Sequence, residues 1–222
     1  MRKKILLAAG FAAALTAVAT PVFAASVNIV HGIDGRDLGL ARELPVDIAV
    51  NGACALKGVK FKESAARELA PGTYKVTVHP ANGLCTTAPV ITQQVVIPTN
   101  GKFFSAVASL TSAGKPQLAV FDNTPLQVPA NVTVRHLAQA GAVTASFSSS
   151  QLTRSQSSRI RNGGQAQLAV LGARLPYTLN LFPGARKQSI ARLTGVARTK
   201  FVIINVVGSQ KNGFSIVTEK QP

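Results

Sequence analysis

Apolar and polar residues alternate with a period of two in a series of short runs, and no long stretch keeps the helical period. Val27-Asn28-Ile29-Val30-His31 is one such run. Val46-Asp47-Ile48-Ala49-Val50 is a second, closed by the turn pair Asn51-Gly52. A third, Thr73-Tyr74-Lys75-Val76-Thr77-Val78-His79, follows the turn residues Ala70-Pro71-Gly72. Further runs at 90–97, 102–110 and 117–121 bring the first half to six or seven strands, with Pro98-Thr99-Asn100-Gly101 as a turn between two of them.

The second half repeats this order. Val132-Thr133-Val134-Arg135-His136 echoes the run ending at His31, and Val143-Thr144-Ala145-Ser146-Phe147 takes the place of the run starting at Val46. The runs around Tyr177 and Lys200 match those around Tyr74 and Lys102. The offsets are 105 for the His pair, 103 for the Tyr pair and 98 for the Lys pair, a drift that loop lengths absorb. A duplicated unit of about 100 residues has the size of a β-sandwich. The expected fold is therefore all-β: two tandem Ig-like or Greek-key antiparallel β-sandwich repeats, at 25–123 and 124–222. Asp122-Asn123-Thr124-Pro125, with Pro129 beyond, is the expected linker.

The opening does not belong to this pattern. Arg2, Lys3 and Lys4 precede an apolar run from Ile5 to Val18, and Pro21-Val22-Phe23-Ala24 offers small residues for cleavage before Ala25. Together these read as a secretory signal peptide over 1–24. The run is too short for a confident membrane span, no second one follows, and no cysteine sits at the cleavage point to carry a lipid. The mature chain is expected to be soluble and exported, periplasmic or extracellular, without a transmembrane anchor.

Export gives the two cysteines their reading. In an oxidising compartment Cys54 and Cys85 are expected to form a disulfide, since no CxxC and no histidine at ligand spacing support a redox or metal role. With one strand expected between about 57 and 62, the flanking strands would run the same way and place both cysteines at one end of the sandwich.

Several motifs in series then resemble a known bacterial family. Val27-Asn28-Ile29-Val30-His31-Gly32-Ile33-Asp34-Gly35, Leu44-Pro45-Val46-Asp47-Ile48-Ala49-Val50-Asn51-Gly52 and Leu69-Ala70-Pro71-Gly72-Thr73-Tyr74-Lys75-Val76 are similar to the ordered motifs of the domain of unknown function 4397 family. The resemblance spans about 27–121 and extends more faintly over 132–218. It implies an exported β-sandwich with no assigned biochemical role, and it transfers no catalytic residues. In the second repeat Val46-Asp47 becomes Val143-Thr144, and the Ala-Pro-Gly-Thr-Tyr turn becomes Ala173-Arg174-Leu175-Pro176-Tyr177.

Chemistry-bearing residues are scarce: 8 Asp and Glu and 3 His in 222 residues. His31 and His136 hold equivalent positions, but no nucleophile motif accompanies either, so half-buried strand-end histidines bonded to backbone are expected. Asp34, Asp37, Glu43 and Asp47 match no calcium loop and read as solvated loop acids. Tyr74 and Tyr177 read as sandwich tyrosines whose hydroxyls hold a neighbouring loop. No catalytic residue, metal ligand or cofactor is expected, and the chain reads as no enzyme.

Charge adds one asymmetry. The chain is +16 at pH 7. The leader takes three of those charges; residues 25–123 hold 9 bases and 7 acids, whereas 124–222 hold 12 bases and a single acid, Glu219. A net +11 on one half points to an anionic partner. Arg154, Arg159, Arg161, Arg186, Lys187, Arg192, Arg198 and Lys200 are the candidate contact residues; arginine's planar fork suits phosphate or carboxylate. The expected partners are an anionic polysaccharide, lipopolysaccharide or lipid headgroups of the envelope. Nucleic acid is disfavoured by export and by the shortage of stacking aromatics. The function expected is thus a non-enzymatic envelope protein binding such a component. The alternatives are a surface-assembly or adhesion-type structural protein and, less favoured, a carbohydrate-active enzyme, for which one acid in the second half leaves little material. The sequence sets no oligomeric state.

Overall fold

A computed structural model describes residues 24–99, 103–123, 131–148, 156–169, 177–183, 188–193 and 202–220. Most of the expected leader, residues 100–102, residues 124–130 with the Thr124-Pro125 part of the expected linker, and residues 149–155, 170–176, 184–187, 194–201 and 221–222 lie outside them, whereas Asp122 and Asn123 lie inside.

The fold is all-β, and its strand order repeats. In the first half the strands are β1 (Ala25–His31), β2 (Val46–Val50), β3 (Ala53–Val59), β4 (Ser64–Leu69), β5 (Gly72–Pro80), β6 (Ile91–Ile97), β7 (Phe103–Leu110) and β8 (Pro116–Asp122). In the second they are β9 (Asn131–His136), β10 (Val143–Ser148), β11 (Gln156–Ile160), β12 (Gly164–Ala169), β13 (Tyr177–Pro183), β14 (Gln188–Leu193), β15 (Val202–Ser209) and β16 (Gly213–Lys220). Sheet β4-β1-β7-β8 packs on sheet β3-β2-β5-β6, and sheet β12-β9-β15-β16 on sheet β11-β10-β13-β14. Adding eight to each strand number of the first pair gives the second pair. Each unit also contains one parallel pairing, β1 with β7 and β9 with β15, in otherwise antiparallel sheets.

Alternation decides which side chains enter the cores. Val27 and Ile29 of β1, Val46 and Ile48 of β2, Val76 and Val78 of β5 and Phe104, Ala106 and Ala108 of β7 fill the first. Val132 and Val134, Val143 and Ala145, Leu179 and Leu181, Ile204 and Val206 fill the second. These are the two inner faces of each sandwich.

The strand expected at about 57–62 is not there as a single element. Lys60 to Glu63 form a turn, with Lys62 at φ 73° and Glu63 N–H donating to Lys60 O, and this turn divides the segment between β3 and β4. Two strands therefore separate β2 from β5, and those two pair antiparallel, Val46 opposite Pro80 and Val50 opposite Val76. The same-direction geometry expected for the cysteines is corrected accordingly. Cys54 lies on β3 beside Ala49, Cys85 lies in the loop after β5, and the disulfide joins them at a Cα separation of 5.6 Å.

The two units stack through the outer faces of β4-β1-β7-β8 and β12-β9-β15-β16, giving four sheets in layers. Val30, Val107 and Phe61 meet Leu137, Val207 and Val217 in a third apolar cluster. Gly32 is required at this contact, because a Cβ there would lie 2.7 Å from Val207 Cγ1 and 2.9 Å from Ala108 O. Two loop contacts flank the cluster. Asp37, in a short 3-10 helix over Gly35–Leu38, accepts from Ser209 Oγ at 2.5 Å and Asn212 Nδ2 at 2.6 Å at the β15–β16 turn. At the other end, Gln139 of the β9–β10 loop lies against Gly114 of the β7–β8 turn.

Candidate functional site

The acids do not converge. Asp34 caps the 3-10 helix, accepting from Arg36 N–H, and its two oxygens take Arg36 Nε at 3.0 Å and Nη2 at 2.7 Å. Burial alone would raise its pKa, but the hydrogen bonds and charge of Arg36 hold the carboxyl below the ordinary value. Asp47 sits on the outer side of β2 beneath the disulfide loop. It accepts from the backbone N–H of Gly58, Asn82 and Gly83 at 2.7–2.8 Å. Its burial too would raise the pKa, and these backbone donors outweigh it, so the group is held low. Asp47 lies close to both sulfurs, but these are spent in the disulfide and leave no thiolate for a metal. Asp37 serves the second unit, and Glu43 is exposed.

The histidines hold loops. His31 Nε2 lies 2.8 Å from Leu44 O and His136 Nε2 2.7 Å from Gly141 O; a carbonyl only accepts, so each ring donates there. Both rings are fully buried, and desolvation lowers their pKa despite these bonds. The Tyr74 hydroxyl donates to Ala70 O at 2.8 Å, tying the turn before β5 to the strand. Tyr177 begins β13.

Of the eight basic candidates, Arg154, Arg186, Lys187, Arg198 and Lys200 lie outside the described residues. Arg159 is exposed on β11 and Arg161 is exposed just beyond it. Arg192 lies on β14 opposite Thr178. Registers place Arg159 opposite Thr144, and place Thr144, Ser146 and Ser148 on the face of β10 turned away from the core residues Val143 and Ala145. The outer face of sheet β11-β10-β13-β14 is thus hydroxyl-rich, with an arginine position on each edge strand. Three strand spacings, about 14 Å, separate those edge strands, and the registers set the two positions four residues apart along β10, at Thr144 and Ser148.

Sequence reasoning missed a buried polar assembly that lies where the units meet. Arg135 is 1% exposed. Its guanidinium stacks 4.2 Å from the Phe121 ring centroid, Nη2 donates to Asn123 Oδ1, and Nε donates to Gln165 Oε1 at 3.1 Å. Nη1 lies 3.6 Å from Glu219 Oε1. Burial brings the Arg135 pKa down to about 10, with Glu219 pulling the other way. Glu219 in turn accepts from Asn28 Nδ2 at 2.6 Å, from Ser105 Oγ at 2.7 Å, and from Asn205 Nδ2. The sole acid of the second half is therefore inside the molecule. One signal was available: Arg135 stands on a strand whose counterpart in the first half carries Val30, an apolar position replaced by a base.

Strand order, paired cores and a bridged loop define a class: a disulfide-containing protein of two stacked β-sandwich units. The chain belongs to the family described as Domain of unknown function (DUF4397), whose sequence profile matches residues 25–146. No curated protein matches it. Among solved structures it is similar to the C-terminal domain of AlgF from P. aeruginosa, at 19% identity over 43% of this chain and 100% of that one, with a TM-score of 0.33. It is also similar to the family CBM26 module of Eubacterium rectale Amy13K, solved with maltoheptaose, at 8% identity over 89% of this chain and 97% of that one, with a TM-score of 0.27. The disulfide points to a non-cytoplasmic protein. No helix among the described residues is long and apolar enough to cross a membrane.

Proposed function

We propose that the chain is an exported, non-enzymatic envelope protein whose second unit binds an anionic envelope component through phosphate or carboxylate groups. The observation that supports this reading is the fate of Glu219. Its carboxylate is only 5% exposed and is committed to the junction, so the outside of the second unit carries no acidic side chain of its own. Arg135 goes inside with it, leaving eleven bases of 124–222 with no acid from their own half. Potentials of one sign over such a surface attract anionic layers and fall off with salt.

The test is co-sedimentation of residues 25–222 with three probes: vesicles containing phosphatidylglycerol, lipopolysaccharide, and polygalacturonate, with phosphatidylcholine vesicles as the neutral control. Binding at low salt to at least one anionic probe, weakened at least tenfold by Arg159→Glu with Arg161→Glu, is the expected result. No retention by any of the three at low salt overturns the reading.

A further inference from the structure

The rim of the junction holds an open cavity of about 420 Å³, within the size range of small-ligand sites. It is bounded by β1, β4 and β7 of the first unit and β15 and β16 of the second. Its lining divides by chemistry. Glu219, Asn28, Asn123, Ser26 and Thr218 supply amide, hydroxyl and carboxylate groups, and the half-buried Phe103 ring supplies an apolar surface.

Three features argue that this lining is built for a guest. The first is preorganisation: Glu219 Oε2 is fixed by Asn28 and Ser105, and Asn123 Nδ2 donates to Ser105 Oγ at 2.8 Å. Asn28 spends one amide N–H on this network and keeps the other. The second is support from behind. Arg135 Nη1 lies 3.6 Å from Glu219 Oε1 and Asn205 Nδ2 donates to the same oxygen, so the carboxylate that lines the cavity is held from its far side as well. The third is charge. Arg135 and Glu219 cancel, and the carboxylate, not the guanidinium, lines the cavity, so an anion is disfavoured there.

We propose that the cavity binds a neutral saccharide ring. Such a ring presents hydroxyls that both donate and accept to Glu219, Asn28 and Thr218, and a C–H face to Phe103. This site is separate from the basic outer face and takes a ligand of different charge, so each reading stands or falls without the other.

The test is an NMR titration of ¹⁵N-labelled residues 25–222 with glucose, galactose, mannose, N-acetylglucosamine and maltose, with glucuronate as the anionic comparison. Saturable shifts are expected at the Asn28 and Asn123 side-chain amides and at Ser26 and Thr218, with a Kd of about 1 mM for at least one neutral sugar. Phe103→Ala should raise that Kd about tenfold. Ala66→Trp, at an exposed position on the wall, should abolish the shifts while leaving thermal unfolding unchanged. Absence of saturable shifts at these groups, their persistence in Ala66→Trp, or binding of glucuronate alone overturns the proposal.

Discussion

Replacing Glu219 by glutamine keeps shape and removes the charge opposite Arg135. Breaking a buried ion pair costs about 3–5 kcal/mol, because the remaining ion is left in a poor solvent. The 3.6 Å separation and the lack of a hydrogen bond between Nη1 and the carboxylate argue for the lower end of that range. The bonds from Asn28 and Ser105 are charge-assisted, and losing that character adds about 1 kcal/mol. Glu219→Gln is therefore expected to cost about 4 kcal/mol. Arg135→Met should cost less, about 2 kcal/mol, because the Glu219 carboxylate keeps three neutral donors. With both replaced no lone charge remains, so the double variant should be about 2 kcal/mol less destabilised than the sum of the singles. Urea unfolding monitored by tyrosine fluorescence and circular dichroism gives these values, provided the transition is first checked for two steps, since two units can unfold in turn. High salt should leave the coupling intact, as the pair is shielded from bulk ions. A coupling below about 0.5 kcal/mol, or one erased by salt, would refute the claim that this pair acts as a buried charge pair.

Removing the disulfide with Cys54→Ala and Cys85→Ala should lower stability by about 3.5–4 kcal/mol, from a sequence separation of 31; an unchanged thermal midpoint would count against it. The histidines set an acid limb. Burial lowers both pKa values, so between the folded values and about 6.5 the unfolded chain binds more protons than the folded one. Their contribution is complete above about pH 6.5 and is lost as pH falls below it, and His31→Gln with His136→Gln should flatten the slope of unfolding free energy against pH there.

Much of the fold was legible because alternation and turn residues are local signals. Val46–Val50 appears as read, and the runs at His31 and His136 occupy matching strands. Strands β4, β11, β12, β14 and β16 were not read; in β4 and β11, Ser64-Ala65-Ala66-Arg67-Glu68-Leu69 and Gln156-Ser157-Ser158-Arg159-Ile160 carry too few large apolar residues for their alternation to stand out. They are edge strands, each paired with one neighbour, and β4 is largely exposed. The turn at Lys62 escaped because a lysine, not a glycine or asparagine, takes the positive φ. The polar junction was illegible for a deeper reason. Asn28, Ser105, Arg135, Asn205 and Glu219 lie on five strands, β1, β7, β9, β15 and β16, and each alone reads as an ordinary solvent-facing residue. Only stacking of the two units turns that outer face inward.

The contacts around that stack come in reciprocal pairs. The β1–β2 loop touches the β15–β16 turn, and the β9–β10 loop touches the β7–β8 turn. This is the arrangement of an isologous dimer carried on a single chain. The registers make Val30, Val107 and Phe121 of one face the counterparts of Arg135, Asn205 and Glu219 of the other. An apolar set thus meets a charged one, and Arg135 lies on Phe121. A second-unit face set against its own copy would bring arginine and glutamate together with no aromatic ring to stack on. The divergence of the two halves therefore favours union within one chain over pairing between chains, and a free first unit would present a bare apolar face in need of a partner.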